Sequence, residues 1–327
     1  MKKRVLSGIR ATGRLHLGNY LGMVKGMLTL QEKGEHELYF MVADVHAITT
    51  PFKVEELKHN RREVVIDYLA AGLDPGKSVV FLQADVAEHA ELAFYLSSVM
   101  SIARMQHLPT FKEKVKQYPD QATMALLNYP ILMAADILLY KSGLVPTGID
   151  QEPHLEVARE IARRMNETYG IDFPEPVRFA TAGEYVPSLT GEGKMSKTVE
   201  GSYINLTDDL EAIKAKLAKA PTDSGKSDSV PTEGGVESLL KFVELFEGKS
   251  RREEYERQYQ GEGIRYGELK TELAKAIFAE LSPIQERRKQ LEADPAYVDR
   301  VIAEGAEKAR KVARATVDEV KGKMGLK

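Results

Sequence analysis

The chain has 327 residues, of which 29% are charged, with a formal net charge of −3 and no cysteine. This length suits two domains, and the weak net charge gives no sign of nucleic-acid binding. The lack of cysteine excludes disulfides, thiolate metal sites and cysteine nucleophiles in this sequence. No apolar run has the length of a membrane span, and the basic N-terminus lacks a signal-peptide core, so we expect a cytoplasmic protein without membrane contact.

Short apolar runs alternate with longer helical patterns in the first part of the chain. Strands are predicted at 4–9, 37–44 and 78–85, and helices at 19–34 and 54–72. Continuous apolar strands separated by helices indicate a parallel sheet that is covered on both faces. The prediction is a Rossmann-like, doubly wound α/β domain, which binds ligands at the carboxyl ends of its strands.

The pattern changes in the second part of the chain. Residues 220–235, "APTDSGKSDSVPTEGG", are rich in Pro, Gly, Ser and Asp and predict a surface loop or hinge. Beyond this segment the pattern is helical to the last residue. We therefore predict a catalytic domain over 1–199 and a C-terminal α-helical domain over 200–327, whose terminal helix could pack back on the catalytic domain.

The stretch "GRLHLGNYLG" (13–22) follows the first predicted strand and opens a helix. Backbone N–H groups at a helix start attract anions, His16 and Asn19 add side-chain donors, and Gly18 permits a close approach. These features suit a phosphate site. The alternative is a tight turn that contains a structural histidine, and the four letters alone favour that alternative.

A second candidate is "GEGKMSKT" (191–198), in which glycines flank Lys194 and Lys197. Lysine is a compact point charge suited to phosphates. The alternative is a solvated basic loop, and this motif taken alone does not decide between the two.

The two motifs together, in this order and on an α/β pattern, resemble the signatures of class I aminoacyl-tRNA synthetases. The resemblance implies an ATP-binding catalytic domain in which His16, Asn19, Lys194 and Lys197 are catalytic. The stretches 7–13, 44–49, 127–166 and 284–313 are similar to tryptophanyl-tRNA synthetases, so the resemblance covers nearly the whole chain.

The residues of one predicted helix fit an indole ligand independently. Tyr129, Met133, Asp136 and Tyr140 follow helical spacing and share a face. The indole N–H can only donate, and a carboxylate in an apolar slot would accept from it. The alternative is a buried aspartate that caps a backbone N–H or pairs with a basic residue, and from the helix alone the two are equally supported.

The resemblance implies two further sets of contacts. For ATP they are Arg10, Ala11, Thr12, Gly18, Asn19, Gly148, Ile149, Asp150, Val186, Lys194, Met195, Ser196, Lys197 and Thr198. For tryptophan they are His46, Tyr129, Met133, Asp136 and Gln151. Val186 could equally be ordinary core, and Asp150 could be the N-cap of a helix.

The chain departs from the family pattern at both motifs. Arg10, Ala11 and Thr12 stand where tryptophan enzymes commonly have Gln-Pro-Ser, and Thr198 stands where a serine is usual. Arg10 is expected to add a fixed charge beside the phosphates.

The resemblance implies that ATP, as its Mg²⁺ complex, activates L-tryptophan to tryptophanyl-adenylate with release of pyrophosphate, and that tRNA(Trp) then receives the acyl group. It also implies a homodimer formed near residues 97–114, and we expect no protein metal site and no tightly bound cofactor. Some relatives carry cysteines for an iron–sulfur cluster, which this chain lacks, so no such cluster is expected. A basic excess over 281–327 suggests tRNA contacts through Arg310 and Arg314. Two alternatives stay open: another adenylyl transferase of this fold, such as a cofactor-synthesising nucleotidyltransferase, and a non-catalytic paralogue that senses an amino acid or binds a partner.

Overall fold

The structure is a computed structural model that describes residues 2–117, 119, 122–180, 183, 185–197 and 199–327. The chain forms two compact units. The first, here called the sheet unit, consists of Met1–Arg14, Gly26–Thr181 and Leu291–Lys327. The second, here called the motif unit, consists of Leu15–Lys25 and Ala182–Gln290.

This division differs from the predicted boundary at 199/200. The segments that contain the two signature motifs belong to the same unit as the helices that follow them, whereas the last 37 residues belong with the sheet. The difference arises because apolar side chains of the terminal helix complete the core of the sheet unit, as described below. A single cut in the sequence cannot separate the two units, because each unit is built from more than one segment of the chain.

The sheet has five parallel strands in the order β3-β2-β1-β4-β5. They are β1 (Arg4–Arg10), β2 (Glu37–Ala43), β3 (Val79–Leu82), β4 (Leu144–Pro146) and β5 (Val177–Phe179). The chain moves outward from β1 to β3, then returns to place β4 on the other side of β1, so the strand order reverses beside β1. The predicted doubly wound, Rossmann-like parallel sheet is confirmed.

Helices of the sheet unit cover this sheet. They are α2 (Lys25–Lys33), α3 (Val54–Ala71), α4 (Glu88–Ser97), α5 (Ile102–Gln106), α6 (Pro109–Gln117), α7 (Met124–Leu139), α8 (Glu152–Tyr169) and α13 (Pro295–Lys323). The predicted stop after α3 is confirmed, since Gly72 caps that helix with φ of 115° and donates its N–H to Tyr68 and Leu69. Such a left-handed cap favours glycine.

The terminal helix α13 lies against β3. Ala309, Ala313, Val317 and Val320 belong to the same buried core as the strands. Gly305 allows the close approach, because a Cβ atom there would lie 1.8 Å from the Val80 carbonyl oxygen.

The motif unit is mainly helical. It contains α1 (Leu17–Asn19), a π-helical turn over Tyr20–Val24, and α9 (Leu210–Ala218), α10 (Gly234–Glu247), α11 (Lys249–Gln260) and most of α12 (Tyr266–Ala293). The segment between α9 and α10 holds no helix or strand, which confirms the loop predicted at 220–235. Among the described residues of the whole chain, no helix is long and apolar enough to cross a membrane.

Candidate active site

The first motif forms the start of a helix in the motif unit. His16 is the N-cap of α1, and its Nδ1 accepts the Gly18 N–H over 3.1 Å, while the Asn19 side chain accepts the His16 N–H over 3.3 Å. Gly18 is required by this close fit, since a Cβ atom would lie 2.9 Å from Cε1 of the His16 ring. The turn is therefore a reciprocal capping box built with a histidine.

The same turn is held by the strand-like segment after the second motif. Leu17 donates its N–H to the Ile204 carbonyl over 2.8 Å, and Leu206 donates to the Leu15 carbonyl over 3.2 Å. These bonds fix the start of α1 within the motif unit.

The second motif forms a loop closed by backbone hydrogen bonds. Met195 donates its N–H to the Val186 carbonyl over 2.9 Å, and Ser188 donates to the Gly193 carbonyl over 2.9 Å. Met195 and Val186 are buried, whereas Lys194 is exposed. Thr198, also predicted to contact ATP, lies outside the described residues.

The structure brings the two motifs together. A Cβ atom on Gly18 would lie 3.4 Å from the Cβ of Met195. Burial, reinforced by the positive charges of Lys197 and Lys194, lowers the pKa of His16 to about 3. His16 is thus neutral at pH 7, and because its Nδ1 accepts a hydrogen bond, its proton is on Nε2. The arrangement offers one neutral donor and two ammonium groups, which suits phosphate oxygens.

A second group of predicted ATP contacts lies where the strand order reverses in the sheet unit. Arg10 ends β1 and donates from Nη2 to the Thr50 hydroxyl over 3.0 Å, and it is followed by buried Ala11 and exposed Thr12. Gly148, after β4, is the N-cap of a 3₁₀ turn over Ile149–Gln151.

In that turn Ile149 and Asp150 are exposed, and Gln151 donates from Nε2 to Asp150 Oδ2 over 2.7 Å. The alternative in which Asp150 is the N-cap of the next helix is wrong, because the N-cap of α8 is Gln151 and that of the preceding turn is Gly148.

Asp136, on α7, is 1% exposed and carries three hydrogen bonds. Its Oδ2 lies 2.8 Å from Nε2 of His46, and its Oδ1 lies 2.6 Å from Nδ1 of His89 and 2.7 Å from Nε2 of Gln83. Burial opposes ionisation of this carboxyl, but His46 and His89 outweigh it and hold the pKa of Asp136 below its usual value. The group is therefore a carboxylate that only accepts hydrogen bonds.

Tyr129 and Met133 lie on the same helix and are half-buried. The Tyr129 ring meets the His46 ring edge-on, with centroids 6.4 Å apart, and its hydroxyl lies 2.7 Å from Nε2 of His154 and 2.8 Å from the Thr110 hydroxyl. Burial lowers the pKa of His154, so this side chain is a neutral partner of the tyrosine. Tyr129, His46 and Asp136 thus form one polar corner at an otherwise apolar helix.

Tyr140 does not share that corner. It follows the last residue of α7, is fully buried, and places its hydroxyl 2.9 Å from Nε2 of His89. The shared face with Tyr129 stays a prediction at this residue, which is the C-cap of α7 and is linked to Asp136 through His89.

Sequence reasoning missed Gln83, His89, His154 and Thr110. Gln83 follows β3, and His89 and His154 are lone histidines in the first turns of helices. The one available signal was Asp136 itself, since a buried carboxylate needs donors, but the sequence does not say which distant residues supply them. Among the described residues, no group of three or more His, Cys, Asp or Glu side chains could hold a metal ion.

Comparisons with known proteins agree with this geometry. The family model for "tRNA synthetases class I (W and Y)" matches residues 1–282. A tryptophan–tRNA ligase of Porphyromonas gingivalis is 42% identical, over 99% of each chain.

Two solved structures are similar over almost the whole chain. Tryptophanyl-tRNA synthetase from Mycoplasma pneumoniae has a TM-score of 0.88 at 32% identity and covers 100% of this chain and 99% of its own. The enzyme from Campylobacter jejuni, in complex with ADP and tryptophan, has a TM-score of 0.83 at 32% identity, with 98% and 99% covered.

The parallel sheet and the paired motifs define an enzyme of the class I aminoacyl-tRNA synthetase type. The chain belongs to the W and Y family of class I tRNA synthetases. Within that family, the relatives to which it is similar over its full length at about 40% identity are tryptophan–tRNA ligases.

Proposed function

We propose that this enzyme is a tryptophan–tRNA ligase, which forms tryptophanyl-adenylate from L-tryptophan and ATP and transfers the acyl group to tRNA(Trp). The observation that carries the proposal is the full-length match to tryptophan–tRNA ligases at about 40% identity. A full-length match extends beyond the shared fold to both motifs and to the helix that carries Asp136.

In the motif unit, His16, Asn19, Lys194 and Lys197 act on the phosphates of ATP. His16 donates from Nε2 to an α-phosphate oxygen, with Asn19 beside it, and the two lysines stabilise the charge that grows on the departing pyrophosphate. Buried neutral His16 suits this role, because its proton stays on the nitrogen that faces away from the Gly18 N–H. Gly18, Val186, Met195, Ser196 and Thr198 belong to the same proposed nucleotide site.

In the sheet unit, Arg10, Ala11, Thr12, Gly148, Ile149 and Asp150 are proposed ATP contacts. Their support is their place at the carboxyl ends of β1 and β4, where the strand order reverses and where doubly wound sheets bind nucleotides. Asp150 is exposed and is proposed to accept a hydrogen bond from a ribose hydroxyl.

Asp136 is proposed to read the indole N–H of tryptophan, with His46, Tyr129 and Met133 around the ring and Gln151 toward the amino group. The support is chemical: an ionised, buried acceptor beside apolar and aromatic side chains matches a flat apolar ring with one donor. Phenylalanine has no such donor and would leave the acceptor unmatched.

No protein nucleophile is needed, because the tryptophan carboxylate attacks the α-phosphate directly. Catalysis consists of positioning and of charge stabilisation. Mg²⁺ enters with ATP, held by phosphate oxygens and water as this ion prefers. Neutral His16 and the ammonium groups of Lys194 and Lys197 can bind the phosphate oxygens of such a complex, whereas they would not attract a metal ion by itself.

The helical region from residue 200 is proposed to bind the anticodon of tRNA(Trp), and the segment 97–114 to form a homodimer interface. Exposed Ile102 supports the interface, since a large apolar side chain on that surface would be covered by a second copy. We further propose that the enzyme acts in the cytoplasm and works without an iron–sulfur cluster or other tightly bound cofactor.

Exchange of pyrophosphate into ATP tests the proposal. We expect exchange that depends on tryptophan, with tyrosine and phenylalanine giving little, and charging of tRNA(Trp) by the same protein. Exchange driven by tyrosine would instead indicate a tyrosine–tRNA ligase, the other specificity of this family. Exchange without tRNA charging would favour a paralogue that no longer transfers the amino acid to tRNA.

A further inference from the structure

Asp136 Oδ1 accepts hydrogen bonds from two side chains. The first donor is Gln83, whose orientation is fixed by two backbone N–H groups. The Gln83 side chain donates from Nε2 to Oδ1 over 2.7 Å. Its Oε1 accepts the backbone N–H groups of Val45 and His46 over 3.2 and 3.4 Å. If the amide turned over, it would lose all three bonds, so its nitrogen is committed to Asp136.

The second donor is His89, which is 1% exposed. Its Nδ1 lies 2.6 Å from Asp136 Oδ1, and its Nε2 lies 2.9 Å from the Tyr140 hydroxyl. An ionised carboxylate can only accept, so His89 donates from Nδ1 to Asp136, while its other ring nitrogen is held by the Tyr140 hydroxyl. Burial raises the pKa of Tyr140 well above its ordinary value, which keeps its hydroxyl a donor. The Asp136 carboxylate thus keeps a proton on Nδ1 of His89, and the Tyr140 hydroxyl fixes the orientation of the His89 ring.

The remaining oxygen, Oδ2, has one partner among the described residues, Nε2 of His46. A carboxylate has about four lone-pair sites. Two lone-pair sites are used at Oδ1 and one at Oδ2. The fourth site is therefore on Oδ2, the oxygen that lies beside His46, whose ring meets the Tyr129 ring.

We propose that Gln83, His89 and Tyr140 are positioning residues for tryptophan selection: they saturate Asp136 Oδ1 so that Oδ2 presents the acceptor for the indole N–H. This inference rests on the proposed function. None of the three residues needs to touch the substrate, and their effect passes through the orientation of one carboxylate.

The decisive variant is Tyr140→Phe, which removes one hydroxyl and keeps the ring. The matched control is Tyr39→Phe, since the Tyr39 ring stacks on Tyr140 at 4.6 Å while its hydroxyl bonds to Arg4. Pyrophosphate exchange is measured for tryptophan and for its analogue with sulfur in place of the ring N–H. The ratio of the two kcat/KM values reports selection of the N–H and is insensitive to a general loss of folded protein.

We expect Tyr140→Phe to lower that ratio about three- to tenfold, the range that one hydrogen bond supplies, and Tyr39→Phe to leave it unchanged. A second pair tests the donor at Nδ1. His89→Asn retains an N–H near that position and should keep more of the ratio than His89→Leu. The second pair decides the question if Tyr140→Phe does not fold.

The outcomes separate the two proposals. A wild-type protein that shows no tryptophan-dependent exchange contradicts the proposed function. A wild type that uses tryptophan but accepts the sulfur analogue equally overturns both the positioning role and the assignment of Asp136 to the indole N–H, and leaves the ligase function standing. A Tyr140→Phe variant whose ratio equals that of Tyr39→Phe overturns the positioning role alone.

Discussion

At the residue scale, His16 shows how a local turn sets a chemical state. Its Nδ1 is used to cap α1, its ring is buried, and Lys194 and Lys197 repel a second proton. Each of these effects disfavours the imidazolium. The same residue is therefore a cap for the helix and, as proposed, a donor from Nε2 for a phosphate.

The low pKa of His16 predicts how stability depends on pH. The folded-state pKa of about 3 lies below the unfolded value of 6.5, so the unfolded chain takes up a proton that the folded chain refuses. His16 should therefore lower the free energy of unfolding as the pH falls from about 6.5 toward 3, and have no such effect above 6.5. Urea unfolding at several pH values, compared with His16→Asn, checks this. Parallel pH curves for the two proteins would contradict it.

Asp136 shows that the environment of a residue decides which substitution is informative. Alanine would leave the donors on His46, His89 and Gln83 without an acceptor, at a cost of about 1–3 kcal/mol each, and would confuse folding with recognition. Asparagine keeps one oxygen for His89 and Gln83 and replaces Oδ2 by a donor.

We expect Asp136→Asn to raise the KM for tryptophan at least tenfold, because a donor would face the indole N–H, with an unchanged KM for ATP. The sulfur analogue, which has no N–H, should lose much less. Pyrophosphate exchange with both ligands on both proteins measures the difference. Equal losses for the two ligands would show that Asp136 does not contact the ring nitrogen.

At the scale of elements, α13 belongs to the sheet rather than to the helical region that precedes it. Arg310 donates from Nη2 to the Asp85 carbonyl over 2.6 Å, and Arg314 pairs with Glu88 over 3.0 Å. Reversing these charges would loosen α13 from its own unit. The expected tRNA contacts of these two arginines therefore cannot be tested by charge reversal.

The contact of α13 with β3 depends on one glycine. Gly305→Ala would place a methyl group 1.8 Å from the Val80 carbonyl oxygen, so helix or strand must move. We expect a loss of about 1–3 kcal/mol in the free energy of unfolding, the usual cost of overpacking. Gly322→Ala is the matched control on the same helix, where a Cβ atom meets nothing within 4 Å. Thermal unfolding compares the two, and equal melting temperatures would contradict the packing argument.

Sequence patterns predicted those elements whose signal is local. Strands β1 and β2 and the Gly72 cap follow from apolar runs and from a residue with special backbone freedom. The donors around Asp136 could not be predicted, because Gln83 and His89 are distant from it in sequence. The sequence also carried no signal for the π-helical turn over Tyr20–Val24. The family resemblance identified Asp136 and His46 as expected tryptophan contacts. Gln83 and His89 were found only from the structure, by their hydrogen bonds to Asp136.

At the scale of the whole molecule, neither unit is a continuous stretch of chain. The motif unit combines Leu15–Lys25 with Ala182–Gln290, and the sheet unit needs Leu291–Lys327. Cutting at 199/200 would divide the motif unit and remove α13, with Ala309, Ala313 and Val317, from the core of the sheet.

We therefore expect that fragments 1–199 and 200–327, expressed separately, do not fold cooperatively. Circular dichroism and limited proteolysis measure this, with the intact chain as the control. A fragment 200–327 with a sharp thermal transition would restore the simple two-domain division.

The two units hold different groups of the proposed contacts, which leads to a prediction about the lysines. The predicted tryptophan contacts lie in the sheet unit, whereas Lys194 and Lys197 lie in the motif unit. Their charges matter most as pyrophosphate departs, so they should stabilise the transition state more than the bound substrates. Lys194→Ala and Lys197→Ala should each slow adenylate formation on the order of 100-fold, as loss of a charge-stabilising donor does elsewhere.

Tryptophan affinity should stay within about twofold of the wild type in both variants, a difference below 0.5 kcal/mol. Lys214→Ala, which removes a half-buried lysine paired with Glu211 in the same unit, is the control and should change neither quantity. Single-turnover kinetics give the activation rate, and calorimetry gives the affinity. If tryptophan binding weakens as much as activation slows, the lysines act on substrate binding, and the assignment of pyrophosphate stabilisation to this loop fails.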